Sequence, residues 1–253
     1  MTVQLRPDDA STTASNRHVA AMRRAWRWYL AAIGVVILAV AAMVWVVWSH
    51  GEIVHAHLHT ATGAPPSVPV GQMSITPQLA WRTNERAASG QPVDGGTIVT
   101  YSAHTVHGRD VRSGTETWSY TRTDRTICQV VQEQGHTVAF YLRGRNCDEA
   151  NAFDTGTGKR AWERTLDTES HPVNGRPTIT PTSDGIYVST ASVIYAVRLN
   201  EGYDFWEYVQ PDGCHLTGLA VGSAGALIAQ QCGDGPHLRA AAVVEPEPVR
   251  VGA

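Results

Sequence analysis

An all-β domain made of repeated units, carried behind one N-terminal apolar helix, is the architecture this sequence predicts. Three features predict it: an uncharged apolar run near the N-terminus, tryptophans at a fixed spacing, and β-rich segments that recur in the same register. The chain has 253 residues, 43% of them hydrophobic, enough for one packed domain plus an anchor. Its formal net charge of -3 supplies no concentrated basic face, so nucleic acid is not an expected partner. Lys159 is the single lysine among 20 basic residues, a bias that reads as the coding habit of a GC-rich bacterium.

Residues 28–48, WYLAAIGVVILAVAAMVWVVW, carry no charge. At about 1.5 Å per residue such a helix covers the roughly 30 Å hydrocarbon layer of a bilayer. Trp26, Trp28 and Tyr29 mark one end of the run and Trp45 and Trp48 the other, where amphipathic rings favour the lipid–water interface. Arg17, Arg23, Arg24 and Arg27 precede it, and no Lys or Arg follows until Arg82. The expectation is a cytoplasmic tail at 1–27, a single-pass transmembrane helix at 28–48 in the cell membrane, and an extracytoplasmic remainder. A cleaved signal peptide is the competing reading, with Ala39, Ala41 and Ala42 resembling a cleavage site. That site would lie inside the apolar run, and the run exceeds a signal core of about 7–15 residues. The uncleaved anchor is preferred.

Residues 49–73 contain His50, His55, His57 and His59 and then ATGAPPSVPVG, which predicts an extracytoplasmic linker without regular structure. In an extended chain His55, His57 and His59 share one side, and three imidazoles suffice for zinc or copper. A polar, solvated tract is the simpler reading, so these three are weak metal candidates.

Trp118, Trp162 and Trp206 are 44 residues apart, and Gly114, Gly158 and Gly202 stand four residues before each. The aligned segments are GRDVRSGTETWSYTR, AFDTGTGKRAWERTL and AVRLNEGYDFWEYVQ, each preceded by a β-branched and aromatic run: TIVTYSA, TVAFYLR or GIYVSTA. Each unit reads as strand, loop, strand, turn, strand. The glycine supplies the positive φ of a tight hairpin. The Trp, repeated once per unit, supplies about 150–250 Å² of area to pack on the neighbouring unit. A period of about 40–45 residues with three or four strands predicts β-propeller blades, here about three and a half four-stranded blades over residues 74–235. Trp81, in LAWRT, is read as the outer strand of a blade whose inner strands come from the far end of the chain.

The segments DVRSGTETW and FDTGTGKRAW resemble the repeat of the quinoprotein-like, or PQQ-like, β-propellers, in which an Asp-x-x-x-Gly turn leads into the Trp strand. The resemblance covers roughly residues 77–235 and is closest to the membrane-anchored bacterial PQQ-like repeat proteins. It implies a propeller fold and invites the expectation of quinone chemistry. Arg198 stands where Asp110 and Asp154 stand in the other repeats, which suggests a different turn there.

Cys128 and Cys147 are 19 residues apart and Cys214 and Cys232 are 18 apart, each pair at nearly the same place in its unit. In a meander such positions approach within disulfide reach, and an exported location favours oxidation. Two disulfides, Cys128–Cys147 and Cys214–Cys232, are therefore expected in preference to a metal centre, for which no CxxC spacing exists.

One period beyond Trp206 neither a Trp nor a turn glycine stands in register, and residues 236–253 carry two Glu-Pro pairs. They are read as an irregular tail. A truncated or frame-shifted product without independent function is the first explanation, and self-association through an incomplete ring, completed by a second chain, is the other. Quinoprotein dehydrogenases typically pair adjacent cysteines with a calcium held by acidic groups. Here the cysteines are separated and no acidic cluster has calcium-ligand spacing. Asp110, Asp154 and Asp184 suit Asx turns, no GxSxG motif occurs, and His104, His107 and His136 lie near hairpins, where they could line a blade face. The sequence thus predicts a non-catalytic binding or scaffold module with no catalytic residue, no PQQ and no other cofactor, binding a protein or cell-envelope ligand. A PQQ-dependent dehydrogenase is the alternative.

Overall fold

The structure, a computed structural model, describes residues 10–49, 51–64, 79–166, 176–183, 185–222, 225–233 and 235–241. Two compact units divide the chain near Val54. The first is built on α1 (Ala10–Ser49), one continuous helix whose segment Trp28–Ser49 is long and apolar enough to cross a membrane. The helix therefore begins 18 residues before the apolar run. Its side chains from Trp28 to Trp48 are almost all exposed, as an apolar surface without a protein partner must be. A short helix, α2 (Glu52–His55), follows.

Among the described residues the second unit is four sheets in sequence order, antiparallel except for one parallel pairing in the second. The first contains β1 (Ala56–His59), β2 (Arg86–Ala87), β4 (Thr97–Tyr101), β5 (Thr105–Asp110) and β6 (Glu116–Arg122), in the order β1-β6-β5-β4-β2. The second contains β3 (Ser89–Gly90), β7 (Thr126–Glu133), β8 (His136–Arg143), β9 (Asn146–Asp154) and β10 (Arg160–Thr165), in the order β10-β9-β8-β7-β3. The third runs β11 (Thr178–Pro181), β12 (Ile186–Ser189), β13 (Val193–Val197), β14 (Asp204–Val209), and the fourth β15 (Cys214–Gly222), β16 (Gly225–Cys232), β17 (Gly235–Ala241). Each sheet is built on a meander of consecutive strands, β4-β5-β6, β7-β8-β9-β10, β11-β12-β13-β14 and β15-β16-β17, the blade arrangement that the repeat predicts; β1 and β2 flank the first and β3 adds to β7 in the second.

The cores lie between sheets, and strand alternation puts them there. In β8, Val138 and Phe140 point into the cluster shared with the third sheet, while Ala139 and Tyr141 point into the cluster shared with the first. In β13, Val193, Tyr195 and Val197 serve the second sheet's side, and Ile194 and Ala196 the fourth's. Strands covered on both faces read as continuous apolar runs, which is why these segments show no polar alternation.

Three expectations are corrected. Residues 56–59 are not linker: β1 pairs with the outer edge of β6, with His57 opposite Thr121 and His59 opposite Ser119. Residues 236–241 are not part of an irregular tail: with Gly235 they form the third strand of the fourth sheet, and Pro236 lies opposite Gln231. Arg198 does not change its turn. Gly202 N donates to Arg198 O at 2.9 Å, as Gly114 and Gly158 donate to Asp110 and Asp154 at 2.8 Å. The positive φ of the glycine, 71°, 71° and 74° in the three units, sets the backbone, and the preceding side chain does not.

Both disulfides are present, by different routes. Cys214 lies directly opposite Cys232 on neighbouring strands. Cys128 and Cys147 sit on β7 and β9, with β8 between them. The register slips past Cys128 in β7 and past Asp148 in β9, and these two bulges bring the Cα atoms of the cysteines to 6.3 Å. Each bridge closes a loop of nearly twenty residues, so replacing Cys128 and Cys147 together by serine is expected to lower stability by about 3 kcal/mol. Denaturant melts of the oxidised parent and the variant measure this, and equal midpoints would show the bulges hold without the bridge.

Candidate functional site at the interblade joints and the charged loop end

The repeated tryptophans form the joints between sheets. Trp118 is fully buried, and its ring lies on the turn of the next unit: a Cβ added at Gly158 would stand 2.5 Å from Trp118 Cγ. Its Nε1 donates to Thr155 O at 2.7 Å. Trp162 repeats the pattern on Gly202, with Nε1 donating to Leu199 O at 2.7 Å. Trp81 repeats it on Gly114, with Nε1 donating to Val111 O at 2.9 Å. The glycine thus does two jobs, taking positive φ and giving a flat ring a place to lie. Across each ladder the Trp faces a small residue: Gly108 for Trp118, Ala152 for Trp162 and Ala196 for Trp206. Trp81 itself lies outside any strand, a departure from the predicted outer strand, although its joint is the same. Trp206 instead stacks on Tyr208 and lies tilted against Tyr187 of its own sheet, and the third seam is completed by Tyr208 Oη donating to Gln230.

One end of the array collects the loops between second and third strands and those between sheets. Arg122, Leu166 and Gln210, 44 residues apart, donate their backbone N–H groups to the carbonyls of His104, Asp148 and Ser192, also 44 apart. At this end lies an ion network between the first two sheets. Arg122, with only 4% of its side chain exposed, donates Nη1 to Glu149 Oε1 at 2.6 Å and grips Asp124 with Nε and Nη2 at 2.9 and 3.1 Å. Arg125 Nε donates to the other oxygen of Glu149 at 3.0 Å, and Arg143 pairs with Asp148 at 2.8 Å. The hydrogen bond from Arg122 holds the Asp124 carboxyl below the usual carboxylate range, against the opposing effect of burial. Burial also works against the charge of Arg122, but Asp124 and Glu149 outweigh it and hold the guanidinium protonated. The Tyr141 ring lies beneath this guanidinium, 5.9 Å from centroid to Cζ.

A second cluster fastens the approach to β2 onto the first sheet. Glu85 accepts from Thr100 Oγ1 at 2.5 Å and Arg109 Nη2 at 3.0 Å, with His107 Nε2 3.4 Å away. Burial pushes the Glu85 carboxyl up, yet Thr100, His107 and Arg109 together bring it below its ordinary value.

The histidines singled out in the sequence do not converge. His104 contacts Arg125 O through Nδ1, His107 lies between Glu85 and Glu116, and His136 begins β8. His55, His57 and His59 run along the outer edge of the first sheet, and His50 lies outside the described residues. Among the described residues no group of three or more His, Cys, Asp or Glu is placed to hold a metal ion. Asp110 and Asp154 cap their turns, Oδ1 accepting from Arg112 and Ser113 and from Thr157 respectively; Asp184 lies outside the described residues. Backbone donation to Asp110 from Ser113 and Arg112 lowers its carboxyl. The ion network escaped the sequence reading because Glu149 is 27 residues from Arg122, and nothing in the spacing alone joins them.

Solved structures with a similar course of chain include the computationally designed Ika4 protein (13% identity, TM-score 0.44, covering 69% of this chain and all of that one). They also include BamB from Moraxella catarrhalis (16% identity, TM-score 0.37, covering 67% of this chain and 53% of that one). A third is a quinohemoprotein alcohol dehydrogenase from Pseudomonas putida HK5 (15% identity, TM-score 0.40, covering 59% and 33%). The chain therefore spans about half the length of that BamB and a third of that dehydrogenase. No curated protein sequence matches the chain. A family model described as outer membrane protein assembly factor BamB matches residues 72–219, more than half of the chain, and the chain belongs to that family of PQQ-like repeat β-propellers.

Proposed function

We propose that this protein is a non-catalytic binding or scaffold module, held to the cell membrane by its N-terminal helix with the propeller repeats outside the cytoplasm, and that it engages a protein or cell-envelope ligand through the loop end. The observation that carries this reading is how the chemistry-bearing side chains are used. The four cysteines form two disulfides, Asp110 and Asp154 cap turns, and Arg122, Asp124, Arg125 and Glu149 bind one another. These groups serve the fold and leave the loop end as a rigid, charged platform, with Arg143, Gly144 and Arg145 exposed at its rim. The span Trp28–Ser49 with arginines on one side fits an anchor whose N-terminus stays in the cytoplasm.

The test uses the full chain in intact cells, with a photo-crosslinking residue at Arg145 on the loop end or at Ser113 in the opposite turn. A discrete adduct from position 145 and none from 113 supports the reading, and no adduct from either, or the same adducts from both, overturns it. Reporter fusions before Arg17 and after Ala241 test the topology. Incubation with PQQ and calcium tests the other class: quenching of Trp fluorescence together with dye reduction would make the protein a dehydrogenase.

A further inference from the structure

Trp81 occupies the joint of an outer-strand tryptophan, but among the described residues before it no blade is present to which it belongs. Each complete blade places three strands ahead of its Trp strand, as β7, β8 and β9 precede β10. Between β1, which is already the outermost strand of the first sheet, and Trp81 lie only residues 60–80, fewer than half of a 44-residue repeat. The fourth sheet has the complementary shortage. Its strands β15, β16 and β17 are the first three of a blade, and β17 carries no strand on its far side among the described residues. Both parts are in the structure, and within one chain they belong to no common sheet. The segment before Trp81 also presents Leu79, 74% exposed and the most exposed large apolar residue of the described chain.

We propose that residues 79–83 of one copy add as the fourth strand to the free edge of β17 of a second copy, and reciprocally, so that two chains join into one ring. Trp81 stays on Gly114 of its own chain, and its strand supplies a backbone partner for the edge of β17 that is unpaired among the described residues. The joint then holds one chain's first sheet against the other's fourth in the way Trp118 holds the first sheet against the second. Two such heterologous contacts related by a twofold axis close, so the association stops at two chains. A free edge paired in this way is also removed as a site of indiscriminate pairing. The inference rests on the fold and not on the binding role proposed above.

The experiment uses full-length chain in detergent micelles as two differently tagged populations, one carrying Arg82→Cys and the other Arg239→Cys. The described native cysteines are all in disulfides, so a short bis-maleimide reads the introduced thiols. A covalent dimer bearing both tags in the mixture, absent when Ser113→Cys replaces Arg82→Cys, is the expected result. No crosslink between populations that melt like the parent would overturn the proposal. So would a doubly substituted chain that crosslinks only within itself, which would mean that the ring closes on one chain.

Discussion

Trp118→Ala is expected to destabilise the propeller unit by about 3–5 kcal/mol, the range for truncating a fully buried large aromatic. The ring is 0% exposed, lies between Gly108 of its own sheet and Gly158 of the next, and stacks near Phe153 at 5.8 Å. Removing it empties both sides of the joint and leaves Thr155 O without its donor. Trp162, partly exposed, should cost less in the same measurement. Gly158→Ala tests the joint from the other side, because the new methyl would meet Trp118 Cγ at 2.5 Å and the residue holds a φ of 71°. In the Trp118→Ala background the collision is gone and only the backbone strain remains. The two substitutions should therefore be strongly non-additive in a double-mutant cycle. Additive losses would mean that the ring does not lie on the turn in solution.

Arg122→Met is the second large effect, expected at up to about 3–5 kcal/mol because it takes the buried cation from Glu149 and Asp124 at the seam and leaves them only the more exposed Arg125. The side chain of Glu149 is 9% exposed, so water can compensate it only in part. Adding Glu149→Gln to Arg122→Met should recover part of the loss, and failure to recover would show that packing of the guanidinium, not its charge, carries the effect. The pH dependence follows from Asp124, whose folded carboxyl is held below its ordinary value by the Arg122 hydrogen bond. Its contribution is present in full above the unfolded value of about 3.9 and is lost as pH falls through the lower folded value. The parent should therefore keep its stability to lower pH than Arg122→Met, read as the midpoint of acid unfolding. Coincident midpoints would remove Asp124 from the account.

Much of this fold was legible because one period controls several unrelated properties at once. The 44-residue step sets the Trp and the glycine, the apolar runs and the cysteine pairs recur within a few residues of it, and the structure adds the backbone bonds from Arg122, Leu166 and Gln210 to the same step. What was hidden lacked a periodic signature. β1 is four residues long, three of them exposed, and it is held by pairing of its backbone with β6 rather than by buried side chains. Hydrophobic pattern cannot report such a strand. β17 was obscured by its composition, which carries Pro236 and a run of alanines where the other units carry β-branched residues. The turn at Arg198 was misread by weighting the capping side chain above the glycine that fixes the backbone.

Because each Trp–Gly joint couples only adjacent sheets, the unit behaves thermodynamically as a short one-dimensional array, with stability the sum of local and nearest-neighbour contributions. Amide exchange should then be graded along it, not uniform. The second sheet, clasped by Trp118 on one side and by its own Trp162 on the other, is placed to open last. In a single unpaired chain the fourth, joined through Tyr208 and Gln230 and bordered by the third sheet alone among the described residues, is placed to open first. A heat or denaturant melt of this chain would accordingly report a sequence of openings rather than one cooperative event.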